Sequence, residues 1–291
     1  MKRIGITLGD AAGVGPEIVR AALSSGRLPS SAEYVIIGRY PDCDPGHPTA
    51  ETARAAATAL EEAATAALQG DLAAVVTGPI NKARMYEIGF EFPGQTEFFA
   101  ARCGVQNFAM LLTGGALTVA LVTTHIPLRQ VAELLSKEEI VRVGLLLFNF
   151  LQHRLRRPPR IAVGGLNPHA GESGALGREE IETIRPAVEQ LQSAIKNQKS
   201  EIFHGPFSPD TIFHRAIQGE WDGVLCMYHD QGLIPLKLHA FHNGVNVTLG
   251  LPFPRTSPDH GTAFEIAGKG IARPESMIAA ITLAAELAQE I

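Results

Sequence analysis

Short apolar runs rich in Val, Ile and Leu alternate along the chain with longer segments of helical periodicity, and this alternation constrains the fold most. The first run, Arg3 to Leu8, leads into a helix expected to open at Pro16-Glu17, and Tyr34 to Ile37 follows as a strand. The Ala- and Glu-rich stretch from Ala50 to Gln69 contains no Gly or Pro and predicts a long helix. Such a rhythm predicts an α/β fold with a mainly parallel sheet.

The same alternation continues to the end of the sequence. Further strands are predicted at Leu72 to Thr77, Ala109 to Leu112, Leu117 to Thr123, Arg160 to Val163, Gly223 to Met227 and Asn246 to Leu249. Further helices are predicted at about Glu138 to Arg156, Arg178 to Gln192 and Glu275 to Gln289. Because 291 residues exceed the roughly 100 to 200 of a usual single domain, we expect two domains or one large α/β unit.

Charge and composition exclude several classes of protein. The net charge is −5, and Lys and Arg cluster only at Arg154 to Arg160, so no nucleic-acid surface is expected. No apolar stretch approaches the roughly 18 residues of a membrane span, and the N-terminus enters a strand pattern without a signal peptide, which favours a cytoplasmic protein. Because Cys43, Cys103 and Cys226 show no C-x-x-C spacing, any metal site must use His and carboxylates.

Three of the ten histidines, His125, His169 and His229, follow predicted apolar strands. Parallel sheets place their ligands at the carboxyl ends of strands, and three imidazoles can hold a divalent ion while leaving one position for water or substrate. The long spacing is also compatible with histidines that only form hydrogen bonds at strand ends. Asp230 would be a further ligand or an acceptor that fixes a ring tautomer.

Two Gly-rich loops are further candidates for ligand binding. The loop from Gly9 to Glu17 joins a strand to a helix, and it would be either a phosphate cradle or a tight structural turn. It lacks the Lys of a P-loop, and Ile18 interrupts the dinucleotide fingerprint. The second loop runs from Asp259 to Ala272 and is too polar and Gly-rich for a core segment.

Several longer motifs, taken in order, resemble one family, that of the 4-hydroxythreonine-4-phosphate dehydrogenases, the PdxA family of pyridoxal phosphate biosynthesis. The matching segments are Gly9 to Val19, Thr77 to Lys82, Phe92 to Phe99, Thr123 to Leu128, Leu166 to Glu172, Met227 to Gly232 and Gly244 to Gly261. More distantly, Gly9 to Glu17 and His260 to Pro274 resemble segments of isocitrate and isopropylmalate dehydrogenases.

The resemblance implies a fold, a set of partners and a domain division. The fold would comprise two α/β/α domains with mainly parallel sheets, like isocitrate and isopropylmalate dehydrogenases, with the active site in the interdomain cleft. Residues 1–93 plus 245–291 would form the first α/β domain on the cofactor side, and 94–244 the second, with the metal ligands and dimerisation. The protein would be a homodimer whose active sites are shared across the interface.

The resemblance also implies roles for residues at matching positions. The divalent-metal ligands, for Zn, Mg or Co, would be His125, His169 and His229. Substrate contacts would be Thr96, Lys237, Asn246 and Arg255, with Gln95 beside them. For catalysis, our own interpretation is that Lys237 or a metal-bound water transfers the proton, and Asp230, next to His229, is a further candidate. NAD or NADP would contact Gly13, Gly15, His260, Gly261, Thr262 and Gly268. The family pattern has His where this chain has Gln95, and Gln cannot exchange a proton near neutral pH.

The activity implied is oxidation of 4-hydroxythreonine 4-phosphate, a small phosphorylated hydroxy acid, followed by decarboxylation to 3-amino-2-oxopropyl phosphate. A paralogue acting on 4-phospho-D-erythronate or 4-phospho-D-threonate is an alternative, because Gln95 departs from the family pattern. A non-redox acyl or phosphoryl transferase on a related fold is a second alternative. A catalytically silent binding protein is a third.

Overall fold

The computed structural model describes residues 1–195 and 201–289 and divides the chain into two compact units. The first unit is Met1–Gln106 with His242–Ile291, and the second is Asn107–Phe241. Residues 94–106 and 242–244, which the sequence analysis assigned to the second domain, therefore lie in the first unit. The assignment of the cofactor to one domain and of the metal ligands and dimerisation to the other stays a prediction.

Short strands and longer helices alternate along the described residues. The strands are β1 Lys2–Thr7, β2 Ala32–Ile37, β3 Ala74–Thr77, β4 Ala109–Gly114, β5 Leu117–Leu121, β6 Ile161–Gly164, β7 Phe203–Phe207, β8 Gly223–Cys226, β9 Val245–Leu249 and β10 Arg255–Pro258. The helices are α1 Gly15–Leu23, α2 Ala50–Leu68, α3 Lys82–Glu87, α4 Gln95–Arg102, α5 Leu128–Leu134, α6 Lys137–Leu155, α7 Arg185–Ala194, α8 Pro209–Ile217, α9 His229–Ala240 and α10 Glu275–Ala288. A π-helical turn, Glu180–Ile184, precedes α7, and 3-10 segments lie at Pro168–Gly174 and Phe264–Ile266.

The strands of each unit pair mainly in parallel. In the first unit the order is β2-β1-β3-β10-β9, with only β10 and β9 antiparallel. In the second unit the order is β4-β5-β8-β6-β7, with only β4 and β5 antiparallel. The carboxyl ends of β5, β8 and β6 therefore lie side by side on one edge of the sheet.

Helices of the first unit cover both faces of its sheet. The alanines of α2 pack with α3 and α4 on the face that Val75 presents, because small side chains let the helix approach the strands closely. Successive strand residues point to opposite faces, so Val76 and its neighbour Thr256 face the other way. There the Thr256 hydroxyl donates to the Ala280 carbonyl oxygen of α10 at 2.8 Å.

The second unit is built on the same plan. Leu233 and Leu236 of α9 join Ile212 and Phe213 of α8 in one buried cluster over β4, β5 and β8. Helices α6 and α7 contact each other, and a side chain at Gly144 of α6 would meet Leu191 of α7. Helix α9 begins at His229, shortly after the end of β8 at Cys226.

The predicted alternation and most predicted elements are confirmed, with differences of a few residues at their ends. Helices α3, α4, α5 and α8 were not predicted, because they are too short for a clear apolar period, and neither was the edge strand β7. Helix α9 was not predicted either, because Gly232 and Pro235 disguise the helix, and neither was β10, which contains Arg255 and Pro258. The predicted helix Arg178 to Gln192 is interrupted by the π turn.

Within the part of the chain that the structure describes, no helix is long and apolar enough to cross a membrane.

Close backbone contacts explain why several positions of the loop after β1 are glycine. A Cβ atom at Gly15 would overlap the Leu8 carbonyl oxygen, and one at Gly9 would overlap the carbonyl oxygen of Pro79. Because both obstacles are backbone atoms, they cannot move aside as a flexible side chain can. The loop is therefore packed tightly against the segment after β3.

We expect Gly15→Ala to lower the free energy of unfolding by at least about 2 kcal/mol, because two backbone segments must move apart. Gly26→Ala is the matched control, since Gly26 has a φ of +68° but nothing within 4 Å. It should cost only about 1 kcal/mol of backbone strain. Urea denaturation of both variants measures the difference, and equal losses would contradict the close-packing explanation.

Candidate functional site

The pleat of β9, β10 and β3 gathers polar side chains on one face of the first unit's sheet. Arg255 pairs with Thr248 across the antiparallel ladder and with Val75 across the parallel one. Thr77 lies two residues after Val75, and Asn246 two residues before Thr248, so all these side chains point the same way.

Arg255 lies at the centre of this group and is 3% exposed. Its Nη2 atom donates to the Thr77 hydroxyl at 2.5 Å and to Gln95 Oε1 at 2.9 Å, and Nη1 donates to the Thr248 hydroxyl at 3.2 Å. Burial lowers the pKa of Arg255 to about 10, whereas the charge of Glu97 raises it. The guanidinium is therefore still protonated at neutral pH, although its hydrogen-bond partners among the described residues are neutral.

Arg255 Nε and Asn246 Oδ1 are buried polar atoms of this face that have no hydrogen-bond partner among the described residues. Leaving a buried donor or acceptor unpaired costs about 1–3 kcal/mol, and more for a charged group. A cationic donor and a neutral acceptor left unpaired on one face suit a ligand that carries both an anionic group and a hydroxyl or amino group.

Gln95 and Thr96, the first residues of α4, complete the group. Gln95 Nε2 donates to the Gly78 carbonyl oxygen at 3.0 Å while its Oε1 accepts from Arg255, so both ends of the amide are used. The Thr96 and Thr248 hydroxyls are 3.4 Å apart. Gln95 therefore acts here as a neutral link between a loop and the guanidinium.

The predicted substrate contacts Gln95, Thr96, Asn246 and Arg255 thus lie together in the first unit. Thr77 and Thr248 lie within segments that resemble the family, but no role was predicted for either. Thr77 ends a fully buried strand, and Thr248 lies two residues after Asn246 on the same face of β9. The only signal in the sequence was the polar residue at each of these positions. The strand pairing was needed to show that both hydroxyls contact Arg255.

The loop from Gly9 to Gly15 is packed and hydrogen-bonded within the first unit. The amides of Asp10, Ala12, Gly13 and Val14 donate to Pro79 O, Asp10 Oδ1, Asp10 O and Thr262 O. These N–H groups are therefore already used, and a Cβ at Gly13 would lie 2.8 Å from the Thr262 carbonyl oxygen. Close packing accounts for Gly13 and Gly15, and their contact with a cofactor stays a prediction.

The loop after β10 is partly open to solvent. Thr262 is buried and accepts the bond from Val14, whereas Gly261 has nothing within 4 Å of its missing side chain. His260 is exposed, with Nδ1 3.0 Å from the Gly261 carbonyl oxygen, and Gly268 packs against Pro45. The predicted cofactor role of His260, Gly261, Thr262 and Gly268 stays a prediction.

In the second unit, each of the three candidate metal-binding histidines follows one of the adjacent parallel strands β5, β6 and β8. The rings of His125 and His229 have centroids 5.5 Å apart. His229 Nδ1 lies 2.7 Å from Asp230 Oδ1, which leaves Nε2 available to a ligand. Among the described residues of one chain, no group of three or more His, Cys, Asp or Glu side chains is arranged to hold a metal ion.

His169 lies on an unusual turn. Residues His169 to Ser173 all have positive φ, between 42° and 79°, and four of these five residues are not glycine. A left-handed backbone costs about 1–2 kcal/mol for each such residue, so surrounding contacts must stabilise it. The side chain of His169 is exposed. Its convergence with His125 and His229 on one ion stays a prediction.

Lys237 lies on α9, eight residues after His229. Eight residues correspond to about 12 Å along a helix axis, so the two side chains occupy different levels of the same helix. Lys237 is half-buried, and Asp230 is exposed. The catalytic roles of Lys237 and Asp230 stay predictions.

Known proteins resemble the chain over nearly its whole length. The family model described as pyridoxal phosphate biosynthetic protein PdxA matches residues 17–284. A 4-hydroxythreonine-4-phosphate dehydrogenase from Caulobacter vibrioides is 43% identical, over 98% of this chain and 97% of its own. The solved structure of a 4-hydroxythreonine-4-phosphate dehydrogenase from Klebsiella pneumoniae has a TM-score of 0.82 at 38% identity, covering 99% of this chain and 100% of its own.

More distant structures share the fold alone. An isocitrate dehydrogenase from Methylococcus capsulatus has a TM-score of 0.55 at 16% identity, over 100% of this chain and 85% of its own. A branched-chain phosphotransacylase from Enterococcus faecalis has a TM-score of 0.61 at 12% identity, over 99% of both chains. The predicted α/β fold of the isocitrate dehydrogenase type is confirmed.

We expect Arg255→Met to weaken the binding of inorganic phosphate at least tenfold, because the buried cationic donor is lost. The free energy of unfolding should change by no more than about 1 kcal/mol, since removing a desolvated charge offsets the lost hydrogen bonds. Arg102→Met, which removes an exposed arginine of α4, is the control and should bind phosphate normally. Isothermal calorimetry and urea denaturation measure both quantities, and undiminished phosphate binding by Arg255→Met would rule out this anion site.

Proposed function

Because the chain belongs to the PdxA family of pyridoxal phosphate biosynthetic proteins, we propose that it oxidises 4-hydroxythreonine 4-phosphate. The secondary alcohol becomes the ketone of 2-amino-3-oxo-4-(phosphooxy)butanoate, with NAD or NADP accepting the hydride and a proton released. This β-keto acid then loses CO₂ to give 3-amino-2-oxopropyl phosphate. The observation that carries the proposal is that Gln95, Thr96, Asn246 and Arg255 meet on one face of the first unit's sheet.

The protein's contribution begins with substrate orientation. Arg255 Nε is an unused cationic donor for an anionic group, and Asn246 Oδ1 is an unused acceptor for an amino or hydroxyl group. 4-Hydroxythreonine 4-phosphate carries all of these groups. Thr77, Gln95 and Thr248 hold the guanidinium in one orientation, which lowers the entropy lost when the substrate binds.

The histidines after β5, β6 and β8 suit a divalent ion such as Zn, Mg or Co. A bound ion supplies Lewis-acid polarisation of a substrate oxygen, and the nicotinamide supplies the hydride acceptor. The proximity of His125 to His229 and the Asp230 contact to His229 Nδ1 support this role. A hydrogen bond between His229 Nδ1 and Asp230 would orient the ring and leave Nε2 for the metal ion.

Lys237 is proposed as the group that moves a proton during the reaction. Lysine is one of the side chains that transfer protons as a general acid or base. Lys237 is half-buried on the helix that begins with His229.

A homodimer would complete each metal site, because its three histidines would come from both chains. One face of α9 supports such an assembly, because Ile234, Leu238 and Phe241 are 66%, 89% and 73% exposed. Their i, i+4, i+7 spacing forms one apolar stripe along the helix. Exposed stripes of this kind mark interaction surfaces.

The paralogous activity on 4-phospho-D-erythronate or 4-phospho-D-threonate is the closest alternative. Gln95 is the reason to consider this activity. Its side-chain amide links Arg255 to Gly78 and cannot act as an acid or base towards the substrate. The transferase alternative has the support of a shared fold alone.

A coupled absorbance assay at 340 nm tests the proposed function. Chelator-treated protein receives NAD or NADP, then Zn²⁺, Mg²⁺ or Co²⁺, then each of the three phosphorylated acids in turn. We expect NADH or NADPH to form fastest with 4-hydroxythreonine 4-phosphate and only after a metal is restored. Faster turnover of an erythronate or threonate phosphate would favour the paralogue, and acyl transfer without any reduction of NAD or NADP would favour the transferase.

The same assay, together with metal-binding measurements, tests the role of each histidine. Replacing His125, His169 or His229 by Ala should remove most metal affinity and nearly all turnover, because two remaining ligands hold the ion poorly. His214→Ala is the control, since His214 is an exposed residue of α8 and should leave both unchanged. A wild-type rate for the His169→Ala protein would contradict the metal site.

We expect light scattering to give about twice the mass of one chain, and Leu238→Arg to reduce it to that of a monomer with weakened metal binding. A charged side chain on the apolar stripe of α9 would have to be desolvated in the interface. Leu68→Arg, at an exposed apolar residue of α2, is the control and should stay dimeric. A fully active monomer at assay concentration would refute the shared site.

A further inference from the structure

The backbone of the turn that carries His169 needs a support that its own sequence does not provide. His169, Ala170, Glu172 and Ser173 have positive φ values, which residues with side chains rarely adopt. Such a backbone persists only where neighbouring groups hold it. Among these five consecutive residues only Gly171 is a glycine, so the conformational freedom of glycine does not explain the turn.

Glu180 is the group that contacts the start of this turn. Its Oε1 accepts from the backbone N–H groups of Leu166 and Asn167, both at 2.7 Å, and its Oε2 accepts from Asn167 Nδ2 at 2.9 Å. The residue is 1% exposed, and none of the ion pairs among the described residues includes it. A buried carboxyl group that accepts three N–H bonds from one loop holds that loop in place.

Two glycines leave room for the Glu180 carboxyl group beneath the turn. A Cβ atom at Gly171 would lie 2.6 Å from Glu180 Oε2, and one at Gly165 would lie 3.1 Å from Oε1. A Cβ at Gly177 would overlap the Asn167 side-chain amide. The segments on both sides of the carboxyl group are therefore fitted around it.

We propose that Glu180 is the positioning residue for His169, holding the left-handed turn that presents the imidazole. This inference rests on the proposed metal-binding role of His169. Glu180 bonds to residues 166 and 167 and acts on the histidine through the backbone. It begins the π-helical turn Glu180–Ile184, a type of irregularity that is frequent at functional sites.

Glu180→Gln removes this support with almost no change in volume. Whichever way the new amide is oriented, its NH₂ group faces an N–H donor, either the backbone of Leu166 and Asn167 or the Asn167 side chain. A donor facing a donor cannot form a hydrogen bond, so at least one contact is lost. Glu182→Gln is the matched control, because Glu182 is exposed in the same segment and pairs with Arg178.

The test measures Zn²⁺ affinity of the full-length protein by isothermal calorimetry and hydrogen exchange of peptides that cover residues 165–174. Glu180→Gln should weaken Zn²⁺ binding at least tenfold, in the range typical of groups that orient metal ligands, and accelerate exchange at Leu166 and Asn167. Glu182→Gln should match the wild type in both. In the His169→Ala background, Glu180→Gln should cause no further loss of affinity, because its effect passes through His169.

Equal Zn²⁺ affinity of the wild type and Glu180→Gln would overturn the inference. The inference would also be overturned if Glu180→Gln weakened Zn²⁺ binding by the same factor in the His169→Ala background as in the wild type, because that result marks a general structural effect. Unchanged exchange at Leu166 and Asn167 would also overturn it, whether or not metal binds. If the wild type binds no Zn²⁺, Mg²⁺ or Co²⁺, the metal-dependent function fails together with the positioning role. If the wild type binds metal but Glu180→Gln gives one of the contradicting results above, only the positioning role of Glu180 fails.

Discussion

In a parallel pair both strands run the same way, so the residues that follow neighbouring strands meet at one edge of the sheet. In the second unit this constraint assigns the segments of His125, His229 and His169 to the ends of the adjacent strands β5, β8 and β6. In the first unit it joins the ends of β1 and β3, where Gly78 and Pro79 pack against the loop after Leu8. Loops that are distant in sequence are thereby brought to one edge within each unit.

A buried charge that is hydrogen-bonded to neutral side chains gives the first unit its chemical character. Arg255 forms its hydrogen bonds with neutral partners, and desolvation lowers its pKa to about 10. Such a charge contributes little to stability, because the charge of Glu97 offsets only part of the cost of removing it from water. It is well suited to an anionic ligand, since the binding of that ligand supplies the missing partner.

The two groups of candidate residues are built on different kinds of support. Around Arg255, regular strands and the start of α4 hold the side chains, so the group is buried and ordered by the pleat itself. His125 and His169 are exposed and lie on segments between regular elements. Their orientation therefore depends on neighbouring side chains, as Glu180 illustrates for the turn after β6, and a sheet alone does not supply it.

The sequence by itself determined the α/β class, the strands that precede the candidate residues and, through long matching motifs, the family, because these depend on periodicity and residue identity along the chain. It did not reveal that Arg255 lies in a strand and bonds to Thr77, Gln95 and Thr248, since strand pairing joins residues up to 178 positions apart. The left-handed turn at His169 and the carboxyl group of Glu180 beneath it were equally invisible. Only tertiary structure decides such contacts, because a hydrogen bond depends on distance and direction in space, which composition and local spacing do not encode.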